Sequence, residues 1–128
     1  MKKKILIGLL LVVSLMFAVQ SNLTFESDTI TTTAAYATTT DYEINCQEYE
    51  DKFIHIKNVG ASNSMYFKAW GYAYNKSDYY EEFIDETSIA ASGTYNIKLS
   101  NTAYNKIVIR VKNNAGATTC KISVNLVP

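Results

Sequence analysis

Apolar and polar residues alternate with a period of two along most of this chain. The pattern is cleanest toward the C-terminus, at Tyr95, Ile97 and Leu99, then Ile107, Ile109 and Val111, then Cys120, Ile122, Val124 and Leu126. Successive side chains of a strand point to opposite faces, so the alternation predicts strands with one face in a core and the other in water, as antiparallel sheets have. The same reading places a first strand with Tyr42, Ile44 and Cys46 inward and a second around Phe53 to Asn58. Turn-forming clusters separate the strands at Asn58-Val59-Gly60-Ala61-Ser62-Asn63, Ala91-Ser92-Gly93, Ser100-Asn101-Thr102 and Asn113-Asn114-Ala115-Gly116. Helical periodicity is weak, with Tyr79 to Ile89 the one arguable short helix. About seven short strands with these turns predict an all-β fold, a two-sheet antiparallel β-sandwich of immunoglobulin-like or jelly-roll type.

The most informative stretch runs from Met65 to Lys76. As a strand it segregates fully: Met65, Phe67, Ala69, Gly71 and Ala73 take one face, and Tyr66, Lys68, Trp70, Tyr72, Tyr74 and Lys76 take the other. Small apolar residues suit close packing against a second sheet. Rings with polar tips, interspersed with ammonium groups that are costly to bury, suit solvent or a partner. Alternate rings would stand about 7 Å apart, a flat platform for stacking sugars, aromatic groups or another protein. The opposing reading is structural, since sandwich cores often hold a Trp on a central strand and Tyr pairs stabilise neighbouring strands.

The N-terminus reads differently. Lys2-Lys3-Lys4, an apolar run from Ile5 to Val19 and a small-x-small site at Ala35-Tyr36-Ala37 form the three parts of a secretory signal peptide. The run is shorter than the roughly 20 residues that span a bilayer, which favours cleavage after Ala37 over a permanent anchor. Residues 1–37 are thus expected to be the leader and 38–128 a single secreted domain, contacting membrane only through its leader. The Lys-rich leader and the Asn, Ile and Tyr usage suit a Gram-positive bacterium. Cys46 and Cys120 lie near the ends of that domain and on core-facing positions, so an exported chain would be expected to join them in a disulfide. Chain-entropy arguments give such a bridge about 4.4 kcal/mol.

Charge and chemistry narrow the function. With 12 Lys plus Arg against 12 Asp plus Glu, the chain lacks the basic excess that nucleic-acid binding requires. Asp78 to Glu86 is rich in carboxylates but lacks the spacing of an EF-hand calcium loop, so it reads as a solvated acidic loop or edge strand whose acids could pair with the neighbouring lysines. His55 is the single histidine and lies within an alternating strand; neither a nucleophile elbow nor a phosphate-cradling glycine loop accompanies it. Glu81, Glu82, Asp85 and Glu86 could in principle serve glycoside hydrolysis, but so small a domain rarely offers a deep cleft. Asn75-Lys76-Ser77 matches a glycosylation sequon, a pattern short enough to arise by chance. The expectation is therefore a non-catalytic module without cofactor or metal. It would recognise a cell-surface glycan or protein through Tyr66, Trp70, Tyr72 and Tyr74, with Lys68 and Lys76 setting orientation. Two other classes fit the same face: an antimicrobial or toxin-like protein acting on a target envelope, disfavoured by near-neutral charge, and a self-associating surface protein built on Tyr-rich strands.

Overall fold

β-Branched residues on every second position commit the chain to extended structure, and eight strands form among the described residues. The computed structural model describes residues 24–47, 49–73, 79–115 and 118–128, with the backbone alone for 24–28. The strands are β1 (Thr24–Thr31), β2 (Asp41–Asn45), β3 (Asp51–Asn58), β4 (Met65–Tyr72), β5 (Tyr80–Ile89), β6 (Thr94–Leu99), β7 (Lys106–Lys112) and β8 (Thr119–Val127). They build two antiparallel four-stranded sheets, in the orders β1-β8-β3-β6 and β2-β7-β4-β5. Every connection except β4 to β5 passes from one sheet to the other. This alternation is the jelly-roll way of closing a sandwich.

The core follows the alternation. Ile107, Ile109 and Val111 of β7, Met65 and Phe67 of β4 and Ile122, Val124 and Leu126 of β8 belong to one buried cluster drawn from both sheets. An edge contact between Phe67 on β4 and Tyr95 on β6, with ring centroids 5.0 Å apart, fixes the two layers against each other. The stretch that could have been a short helix, Tyr79 to Ile89, lies almost wholly in β5. There it is the edge of its sheet, so its acidic side chains remain in water while backbone pairing to β4 outweighs the weak helical period.

Buried polar groups mark the two ends of the sandwich. At one end the Lys52 ammonium, fully buried, donates to the carbonyls of Tyr49 at 2.6 Å, Glu50 at 3.2 Å and Thr102 at 3.2 Å. At the other end of the same strand, Asn58 donates to the Asn63 carbonyl at 2.8 Å and accepts from the Gly60 amide at 3.0 Å, closing the loop after β3.

This geometry overturns the expected disulfide. Both cysteines are buried as anticipated, yet both are free thiols. Cys46, just past β2, donates to the Tyr104 carbonyl at 3.2 Å and feels the charge of Lys52, whereas Cys120 pairs in register with Asn58. From Lys52 to Asn58 the strand advances about 20 Å, while a disulfide needs Cα atoms within about 7 Å. Period-two alternation reports the face a cysteine takes, not the end of the sandwich at which it sits.

β1 is the strand that sequence did not anticipate. It lies within the stretch read as leader and pairs along its whole length with β8, from Thr24 opposite Leu126 to Thr31 opposite Thr119. The chain after it is also held. Thr32, 1% exposed, donates its amide to the Thr118 carbonyl at 2.8 Å and accepts from the Thr118 amide on its hydroxyl at 3.1 Å. The expected cleavage point after Ala37 thus falls between two strands of the sandwich.

Candidate functional site

β4 alternates as read from sequence: Met65, Phe67, Ala69 and Gly71 are buried, while Tyr66, Lys68, Trp70 and Tyr72 are half-buried on the opposite side. These four side chains occupy one row on the outer face of the β2-β7-β4-β5 sheet. Tyr74 and Lys76 lie outside the described residues.

What sequence could not show is the neighbouring row. β7 sets Lys112 opposite Tyr66, Arg110 opposite Lys68, Val108 opposite Trp70 and Lys106 opposite Tyr72. Cations therefore reach the rings: the Arg110 guanidinium lies 5.2 Å from the Trp70 ring centre, Lys106 Nζ 4.9 Å from Tyr72 and Lys112 Nζ 5.5 Å from Tyr66. The signal was present in the cations alternating with Ile107, Ile109 and Val111, but only the strand order places them beside the aromatics. Val108 is 4% exposed on this outward side, because its cross-strand neighbour Trp70 shields it.

Carboxylates complete the lattice. Arg110 makes a two-pronged pair with Asp41, its Nη2 2.8 Å from Oδ2 and its Nε on Oδ1. Lys68 reaches Asp85 at 3.1 Å and Glu82 at 3.4 Å, Lys106 reaches Glu43 at 3.3 Å, and Lys112 reaches Glu86 at 2.8 Å. The Trp70 indole N–H donates to Glu82 at 2.9 Å. Glu82 and Asp85 of β5 thus pair with Lys68 of the aromatic strand, one of the outcomes anticipated from sequence, while Glu86 pairs with Lys112 of β7 and Glu81 accepts a hydrogen bond from the Tyr104 hydroxyl.

Titration follows these contacts. The hydrogen bond from Lys68 to Asp85 raises the Lys68 ammonium, and the Glu86 backbone amide, followed by Lys68, lowers Asp85. The hydrogen bond from Lys112 lowers Glu86, and that to Asp41 raises Arg110. The Lys68–Asp85 and Lys106–Glu43 pairs have well-exposed acids and add little stability, whereas Arg110 and Asp41 are part-buried; together the pairs hold the rings and charges in one arrangement.

Tyr36, within the motif read as a cleavage site, joins the same face. Its ring centre lies 4.5 Å from Lys112 Nζ and 5.9 Å from Lys68 Nζ, and burial, then the charge of Glu86, raises its hydroxyl well above the ordinary tyrosine range. The Thr33 carbonyl accepts from the Asn113 amide at 2.9 Å, which holds this segment beside β7.

The opposite sheet carries His55. Its Nδ1 lies 2.6 Å from Asn96 Oδ1, and Ser123 is its cross-strand neighbour on β8. With Phe53, Lys98 and Asn125 these residues line a shallow depression of about 210 Å³. His55 lies in the interior of the β6-β3-β8 ladder, where neighbouring strands flank it on both sides. Among the described residues, no three His, Cys, Asp or Glu side chains converge as metal ligands, and no helix is long and apolar enough to cross a membrane.

No family model matches this sequence, and no curated protein matches it. Solved structures do share the fold. A protein named PirA is similar at a TM-score of 0.50 and 11% identity, over 82% of this chain and 95% of that one. CorA of Methylomicrobium album BG8, described as a surface-associated copper-binding protein, is similar at 0.50 and 10%, over 85% and 96%. The mitogen of Yersinia pseudotuberculosis gives 0.49 and 12%, over 84% and 86%. At such identities the likeness to PirA and CorA is one of fold alone.

Proposed function

We propose that this chain is a small, secreted, non-catalytic binding module that meets a cell-surface glycan or protein through the outer face of its β2-β7-β4-β5 sheet. The observation that carries this reading is the preorganised lattice on that face, in which Tyr66, Trp70 and Tyr72 stand in one row, each with a cation against its ring. Rings held in advance lose little freedom on binding, which favours affinity.

The lattice also changes the expected partner. Lys68, Lys106, Arg110 and Lys112 each have a carboxylate partner, so the described face offers little net positive charge to an anionic polymer. A neutral saccharide, with apolar ring faces for stacking and hydroxyls for the paired charges, is the better complement. The shared fold of the surface-associated CorA agrees with this reading loosely.

Trp70 is the only tryptophan and serves as the reporter. Titration with isolated neutral cell-wall polysaccharide is expected to shift its emission and protect it from acrylamide, and Tyr72→Ala is expected to weaken the effect while circular dichroism stays unchanged. Unchanged emission and quenching at saturating polysaccharide would remove the glycan reading.

A further inference from the structure

The cations of the two sheets have different company. On the outer face of the β2-β7-β4-β5 sheet, Lys68, Lys106, Arg110 and Lys112 each meet a carboxylate. On the outer face of the β1-β8-β3-β6 sheet, Lys57, Lys98 and Lys121 are exposed, and among the described residues none has a carboxylate within ion-pair distance. Lys57 and Lys121 are moreover cross-strand partners, so two ammonium groups stand directly opposite each other on neighbouring strands. Like charges in that position repel, which costs stability unless an anion lies between them. The carboxylates of the chain lie elsewhere. Asp51, on the same side of β3, is six residues from Lys57, about 20 Å along the strand, and Glu48 comes before it. Asp78 belongs to the connection between β4 and β5 of the other sheet, residues 1–23 and 116–117 contain no Asp or Glu, and Glu26 and Asp28 hold register with the core residues Val124 and Ile122.

Beside that lysine pair the face is polar and open. Strands β8, β3 and β6 align Lys121, Lys57 and Thr94 in one row, Ser123, His55 and Asn96 in the next, and Asn125, Phe53 and Lys98 in the third. The second and third rows line the depression of about 210 Å³. Its walls are set by contacts of their own, because His55 Nδ1 lies 2.6 Å from Asn96 Oδ1 and Lys98 Nζ lies 5.4 Å from the Phe53 ring centre.

We infer that the outer face of the β1-β8-β3-β6 sheet is a second ligand site, for an acidic polysaccharide whose anionic groups sit at the Lys57–Lys121 pair and whose hydroxyls meet Ser123, His55 and Asn96 in the depression. An anionic group between the two lysines replaces their repulsion with two attractions. The adjoining row of hydroxyl, imidazole and amide groups offers both donors and acceptors, which the hydroxyls of a sugar chain can use and a bare polyanion cannot. A lipid surface is the poorer complement, since interfacial binding also draws on exposed apolar side chains, and the described residues of these strands include no large apolar side chain that is exposed. Nucleic acid calls for a basic excess that this chain lacks. This site is independent of the aromatic face, which lies on the other sheet.

The test is titration of the purified full chain with a heparin-derived hexasaccharide, followed by calorimetry and by backbone amide chemical shifts. A neutral dextran oligosaccharide of the same length and inorganic polyphosphate are the controls. Saturable binding of the sulfated saccharide that weakens as salt is added, with shifts centred on His55, Lys57 and Lys121, is expected, and neither control should equal it. Lys57→Gln and Lys121→Gln should each weaken binding about fivefold. Each should also leave the melting temperature unchanged or raise it, because it relieves the repulsion across the pair, whereas a lysine that served only the fold would lower it on replacement. Absence of saturable binding, equal binding of either control, or full affinity in both variants would overturn the assignment. Trp70 reports on the other face: its emission should stay constant throughout, and a shift would place the acidic saccharide there instead, so the two faces succeed or fail separately.

Discussion

At the scale of single residues, the buried groups with the clearest consequences are the two thiols. Burial raises Cys46 to about 11, against an opposing influence of Lys52, and raises Cys120 to about 12. An unfolded chain ionises its thiols near 8.5. The folded state therefore holds these protons more tightly; stability is unaffected by them below about pH 8.5 and falls as the pH rises toward 11, at about 1–2 kcal/mol per thiol by pH 10. Urea titrations at pH 7 and pH 10 would measure the difference. In the same protein a thiol reagent at pH 8 should find both cysteines only after unfolding, without added reductant. An unfolded chain that shows no reactive thiol would restore the disulfide that the fold excludes. Lys52 illustrates a different physics: its three carbonyl partners answer the ammonium's three donors, so a charge expected in water lies satisfied in the interior.

At the scale of elements, the β4–β5 pair decides what the protein presents to its surroundings. Its register shifts between Phe67 and Ala69 and again between Ala69 and Trp70, so β5 supplies extra residues opposite β4. These bulges let Asp85 and Glu82 both reach Lys68. Beyond the bulges the register is regular, so the adjacent residues Glu81 and Glu82 take opposite sides, Glu82 on the side of the ion lattice. Gly71 is required by packing, because the Tyr104 ring rests against it where any side chain would intrude. Gly71→Ala should therefore cost about 2 kcal/mol in chemical denaturation by forcing the ring aside. The same substitution made on Tyr104→Ala should cost at least 1 kcal/mol less, a coupling that a double-mutant cycle would read.

At the scale of the whole molecule, β1 decides whether the edge of β8 is covered. A sandwich beginning at residue 38 would lack β1 and would expose the edge of β8, whose backbone groups pair with it from Thr119 to Leu126. Exposed strand edges recruit other strands. A chain of residues 38–128 is expected to melt more than about 5 °C below one beginning at Thr24, and to associate with rising concentration in light scattering. Equal melting temperatures would show that β1 is dispensable. Tyr36 would leave with β1, releasing Lys68 and Lys112 from their shared ring.

Alternation alone was enough to define the sheets' inward and outward faces. The inward residues of β4, β7 and β8 and the all-β class were legible because a strand's side chains repeat every two residues whatever it pairs with. The acidic stretch was legible only as a solvated loop or an edge strand, since its charges need water; the structure makes it the edge strand β5. Tertiary structure decided everything that depends on which strand lies beside which. It placed Cys46 and Cys120 at opposite ends, brought the β7 cations over the β4 rings, and made residues 24–31, read as leader, a strand paired with β8. Strand order arises from long-range pairing across the whole chain, and a local pattern with a period of two carries no record of its partner.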